Sequence, residues 1–220
     1  MKSLTKQLPS YSHNEEVSNS MTHFIGFLFA LGVAVYFVVF GFATSKGTSY
    51  SIPFYVYVIS MAVMFFMSFL YHSRKFESRS RIICRIIDHC DIYLFVAGTY
   101  TPVCLLGIEN LTVGITLLII EWVLAIIGVV MNAVSINNKL VKVFSMIIYI
   151  FGGWAIIFFY PFNIGIPFLT FLFILLGGIM YTVGAITYGI GAKKPWFHTV
   201  FHCFVLIAAI LQFLGIVLLY

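Results

Sequence analysis

Two histidines four residues apart, His198 and His202 in PWFHTVFHCFVLIAAILQF, open a long apolar run near the C-terminus. Residues four apart on a helix share one face, separated by about 6 Å of rise, so both imidazoles can reach one metal ion. Two ligands do not complete a zinc site: a catalytic zinc takes three protein ligands and leaves its fourth position to water. His72, in SFLYHS, offers a third imidazole, and Ser68 stands one turn before it as a hydrogen-bonding partner. Asp88, in IDHCDIYLFVAGTYTP, could hold or deprotonate a metal-bound water. Asp91 and His89 in the same stretch compete for these roles. A lone histidine at the end of an apolar run is ordinarily an interfacial residue with its polar tip in water. Metal chemistry therefore requires that separate elements bring these residues to one depth.

The elements are transmembrane helices. The chain has 220 residues, 62% hydrophobic and only 9% charged, with mean hydropathy +1.07. A soluble domain carries about 25% charged residues. Seven apolar runs, at 21–43, 52–72, 88–107, 112–133, 141–160, 166–189 and 200–219, are each close to the ~20 residues a spanning helix needs. Breaks fall at Lys46-Gly47-Thr48, Arg74 to Arg85, Ile108-Glu109-Asn110, Asn137-Asn138-Lys139, Pro161-Phe162-Asn163 and Lys193-Lys194-Pro195. No soluble domain fits between them. The chain reads as one all-α seven-helix membrane bundle over residues 1–220, with 1–20 as a cytoplasmic N-terminal segment.

Basic residues set the expected orientation. Lys2, Lys6, Arg74, Lys75, Arg79, Arg81, Arg85, Lys139, Lys142, Lys193 and Lys194 all fall on one side of a seven-span chain, and only Lys46 falls opposite. The positive-inside rule then places the N-terminus in the cytoplasm and the C-terminus outside. In that arrangement span 2 ends, and spans 3 and 7 begin, on the cytoplasmic side. His72, Asp88, His198 and His202 are thereby level with one another.

Other features are less specific. The net charge of +5 suits anionic headgroups and not nucleic acid, and the basic stretch 74–85 reads as a topological anchor touching lipid phosphate. Cys84, Cys90, Cys104 and Cys203 show no metal or disulfide spacing. Glu15 and Glu16 before the first run, and that run's length, argue against a cleavable signal. Glu121 lies near mid-span in LIIEWVLAII, where it could line a polar cavity or bond to a neighbouring helix.

Three blocks of sequence resemble the hemolysin III-related proteins, the bacterial branch of the progestin and adipoQ receptor (PAQR) superfamily that includes the adiponectin receptors. In EEVSNSMTHFIG, Glu16, Asn19, Thr22, His23 and Gly26 match the family's first motif. SFLYH and the following "ID" match the second, and HTVFH the third. The resemblance covers essentially the whole chain. It implies a multi-pass protein of the bacterial plasma membrane with a cytoplasm-facing zinc site, whose ligands are His72, His198 and His202. Asp88 matches the carboxylate that holds the water, and Ser68 the nearby serine. Glu16, Asn19 and His23 match a supporting block. Asp91 and His89 fall where the family pattern has glycine and an aromatic residue, so the resemblance demotes both.

Some members of the superfamily are similar to ceramide hydrolases. The resemblance therefore implies a zinc-dependent hydrolase acting on an amide or ester of a membrane lipid. Two alternatives stand beside it: a non-enzymatic protein with structural zinc, and a haemolytic or pore-forming protein, after the branch's name. Hormone binding is not expected, because the long N-terminal extension of the receptor members is not matched.

Overall fold

The structure, a computed structural model, describes residues 9–44, 48–76, 78–159, 165–191 and 194–220. Lys2, Lys6, Lys46, Lys193 and the break at 161–163 lie outside the described residues. Among those described there are seven long helices: α1 His13–Thr44, α2 Thr48–Ser73, α3 Arg79–Pro102, α4 Leu111–Ser135, α5 Lys139–Phe159, α6 Phe168–Gly191 and α7 Phe197–Val217. Each is long and apolar enough to cross a membrane. The chain is an all-helical, seven-span membrane bundle.

The helices start where capping chemistry dictates, which for α1 and α3 is earlier than hydropathy suggests. The α1 helix begins at His13 and not near 21, because Ser12 and Glu15 form a capping box. Glu15 N–H donates to Ser12 Oγ at 3.3 Å, and Ser12 N–H to Glu15 Oε2 at 3.0 Å. The α3 helix begins at Arg79 and not at 88, behind an N-cap Ser78 whose hydroxyl accepts from Arg81 N–H at 3.2 Å. Half of the supposed basic loop is therefore helix. At its other end α3 widens into a single π-turn, Val103–Gly107, directly after Pro102, whose missing N–H already interrupts the ladder.

Neighbouring helices in the chain are neighbours in space, and α1 packs against α7 to close the ring. The α3 helix is the most enclosed: 72% of its apolar window is buried, against 22–44% for the others. The core about α3 is largely aromatic and sulfurous, built on Phe54, Tyr57, Met61, Phe65, Phe95 and Tyr100. Gly26 has a packing reason, since a Cβ there would overlap the Phe65 ring of α2 and hold α1 away. At the C-terminal end Tyr220 donates to Phe37 O at 3.0 Å and meets Phe54 edge-on. That end is closed by aromatic packing. The opposite end carries His72, His198 and His202.

Candidate metal centre

The end of α2 and the first turns of α7 meet at the polar end of the bundle. His198 and His202 lie on one face of α7, and His72 reaches them from the last turn of α2. His198 Nε2 is 3.0 Å from His202 Nε2 and 3.3 Å from His72 Nε2. The ligand nitrogens of all three lie within 4.8 Å of one another, and all three residues are buried.

Their tautomers follow from the surroundings. His72 Nδ1 lies 2.7 Å from Glu16 Oε2. An ionised carboxylate can only accept, so the proton sits on Nδ1 and the Nε2 lone pair faces the other histidines. His198 Nε2 is shared between two neighbours, and one ring nitrogen cannot satisfy both as donor and acceptor. A cation among the three nitrogens resolves the conflict. Three imidazoles with one carboxylate behind them are a donor set suited to a transition-metal ion. The residues present could hold a metal ion.

Glu16 does more than touch His72. Its other oxygen pairs with Arg81 Nη2, while Arg81 Nη1 donates to Arg74 O at 2.8 Å. The Arg81 guanidinium lies over the Tyr71 ring, 4.9 Å from its centroid. The chain His72–Glu16–Arg81 thus joins α2, α1 and α3. Burial of Arg81 and Arg85 corrects the reading of 74–85 as a purely lipid-facing anchor. Arg81 is 2% exposed, and Arg85, also buried, donates to Asn137 Oδ1 at 3.0 Å. Both guanidiniums point into the protein and bond there, Arg81 to a carboxylate and a carbonyl and Arg85 to an amide oxygen.

The remainder of the first motif also converges here. Glu15, after capping α1, accepts from Trp196 N–H at 2.6 Å. Trp196 precedes α7 with φ of 68°, a left-handed backbone that a bulky residue rarely adopts. The Glu15 contact holds this turn, and with it the start of α7. Asn19 Oδ1 accepts from Thr199 Oγ1 at 2.6 Å, a second tie between α1 and α7. His23 stacks on His202 with centroids 3.8 Å apart, and Phe65 meets it edge-on. Among the described residues neither His23 ring nitrogen has a hydrogen-bond partner, and His23 is not one of the converging group.

Asp88 stands apart from the three imidazoles, near enough for electrostatic interaction with His72, with the buried Ser68 close by. His89 Nδ1 lies 3.5 Å from Asp88 Oδ2. His89 otherwise supplies a backbone carbonyl to Tyr149 Oη at 2.9 Å. Asp91 is buried about a turn further along α3, with one oxygen unpartnered. Neither His89 nor Asp91 joins the histidine group.

Sequence reasoning missed Tyr11. Its ring stacks on His198 at 4.7 Å between centroids and 16° between planes, closing the centre from the N-terminal side. Burial pushes its hydroxyl well above the ordinary tyrosine range, so it remains a neutral donor. The S-x-x-E capping box at Ser12 and Glu15 was the available signal, because it places Tyr11 at the helix entrance.

The chain is similar to known proteins along most of its length. Residues 11–213 match the family described as haemolysin-III related. A "Hemolysin-3 homolog" of Bacillus subtilis (strain 168) is 36% identical over 198 residues, covering 89% of this chain and 90% of that protein. A "Hemolysin-3" of Bacillus cereus is 35% identical over 201 residues, covering 90% and 89%. With seven apolar helices and bacterial relatives, this is a multi-pass membrane protein, consistent with the plasma membrane. A match over residues 11–213, a range that spans the histidine centre, places the chain in the haemolysin-III related family.

Proposed function

We propose that the protein is a zinc-dependent hydrolase of a membrane-lipid amide or ester, with its centre near the cytoplasmic face. The observation that carries this is the convergence of three buried imidazoles, one of them anchored by a carboxylate, with a second carboxylate set back from them. Three protein ligands leave one position open, the pattern of catalytic and not structural zinc. Zinc held there would lower the pKa of a water and polarise a scissile carbonyl.

The chain's own residues have separable tasks in this reading. His72, His198 and His202 are the ligands. Asp88 stands back from the ligand nitrogens, where it can accept the proton of the attacking water and pass it to the leaving amine or alcohol. Ser68 lies close to the Asp88 carboxylate, where its hydroxyl can orient it. Glu16 fixes the tautomer of His72, with Asn19 and His23 supporting α7 and the His202 ring. The cytoplasmic assignment of this end, the zinc identity and the kinship with the wider PAQR superfamily belong to the same proposal, as does membrane lipid as the partner. The distribution of Lys and Arg supports the orientation.

The test is fatty-acid release from an acyl-amide or acyl-ester lipid by purified protein in vesicles, with and without zinc. His198→Ala should abolish both metal content and release. Asp88→Asn should keep the metal and reduce release by about a hundredfold or more. Release that persists in metal-free His198→Ala protein would sink the catalytic reading. The relatives' name invites a pore-forming alternative, but the aromatic packing around α3 does not favour it.

A further inference from the structure

Beside the histidine centre, on the far side of the His72–Glu16 contact, the end of α2 and the first turns of α1 enclose an open cleft of about 530 Å³. This is the size of a small-molecule site, roughly 300–1,000 Å³. Two kinds of wall meet in it. Arg74, Lys75 and Arg81 contribute three cations. Among the described lining residues Glu16 is the one carboxylate, already shared between Arg81 and His72. The side chains of Arg74 and Lys75 have no hydrogen bond or ion pair among the described residues, and both are exposed. The described lining therefore carries a net positive charge, with Arg74 and Lys75 at its rim.

The other wall is apolar and open to the side. Val17, Met21 and Phe76 line it, exposed by 47%, 48% and 44%. Val17 and Met21 are four apart on α1, and the same face continues through Ile25 and Leu28, exposed by 53% and 50%. These residues run as one stripe from the cleft along the helix towards mid-span. A ligand matching both walls has an anionic head and a long apolar tail.

The geometry points to a binding site for a phosphate-bearing single-chain or double-chain amphiphile, its phosphate on Arg74 and Lys75 and its chain along the Val17–Leu28 face of α1. Two interfacial cations attract an anionic headgroup more strongly than a zwitterionic one. The buried Arg81–Glu16 pair keeps the floor of the cleft rigid and turns the bound head towards His72. Binding here requires neither metal nor turnover, so the inference goes beyond the hydrolase reading and can fail separately from it.

The experiment uses full-length protein in a neutral detergent. Binding of lysophosphatidic acid, lysophosphatidylcholine and inorganic phosphate is compared by native mass spectrometry and thermal shift, for wild type and the double variant R74Q/K75Q. Lysophosphatidic acid should bind at least about tenfold more tightly than lysophosphatidylcholine, and the double variant should lose about thirtyfold, the contribution of two interfacial cations. Inorganic phosphate at the same concentration should not compete. Metal content of the double variant should equal wild type, which shows that the histidine centre and the fold are intact. Equal binding of the zwitterionic lipid, competition by inorganic phosphate, or unchanged affinity in the double variant would each overturn the inference.

Discussion

Two of the places where the bundle buries polar side chains are built on opposite principles. Around α4 and α5, Asn132 Nδ2 donates to Tyr93 Oη at 2.6 Å, Ser145 Oγ at 2.9 Å and Gly128 O at 3.1 Å. Its N–H donors are used up on α3, on α5 and on its own helix. Around α2 and α7, three imidazoles aim their nitrogens at one another with no such resolution, and a carboxylate stands behind one of them. Satisfied polar groups in a membrane bundle are glue between helices. Groups that converge without satisfying each other are arranged for something that is added. Burial alone does not separate the two regions: Asn132 is 3% exposed and His202 2%. The direction of the lone pairs does.

Substitutions should split the regions cleanly. The largest effect is expected from His202→Ala, which removes one of three ligands. Metal measured by elemental analysis should fall from about one per chain to near zero, corresponding to affinity about a thousandfold weaker, a share of the roughly 10–16 kcal/mol that zinc sites supply. Next comes Glu16→Gln. The amide still bonds Arg81 but no longer fixes the His72 tautomer as a carboxylate does, so metal affinity should fall about 10–100-fold in competition with a chelator.

Asn132→Leu attacks the other region. Its thermal midpoint should drop by the equivalent of about 0.6–1.7 kcal/mol, with metal content unchanged. Loss of metal in that variant would break the distinction between glue and site. The smallest effect should come from Glu121→Gln. This buried carboxylate rests against Gly152, and one of its oxygens has no hydrogen-bond partner. The isosteric amide should change stability by less than about 0.5 kcal/mol and leave metal content alone. A larger loss of stability there would show that the carboxylate has a task of its own.

Chelation offers a further comparison. If the centre holds a metal as proposed, chelation of wild-type protein should lower the thermal midpoint, because the ion would tie α2 to α7. The same treatment should leave the midpoint of His202→Ala unmoved.

The histidine pair was legible because it is local: a spacing of four on one helix needs no knowledge of any other element. His72 became legible through topology, since alternating spans put its depth level with the pair. The start of α1 was misread because hydropathy marks where a helix enters lipid, not where it begins, although the Ser12–Glu15 capping box was present in the sequence. Arg81 was misread for a related reason. A cluster of basic residues between spans looks like an anchor until a carboxylate from another helix is found beside it.

By itself the sequence determined that this is a membrane protein, how many times it crosses, and which imidazoles share a helix face. Each follows from composition or from the fixed rise and turn of an α-helix. Only the tertiary structure decided that Glu16 faces His72, that Tyr11 stacks on His198, and that Arg74 and Lys75 rim a cleft while Arg81 is buried. Those contacts depend on how each helix is rotated and shifted against its neighbours. That register is set by close packing such as Gly26 against Phe65, and no spacing along a single helix encodes it.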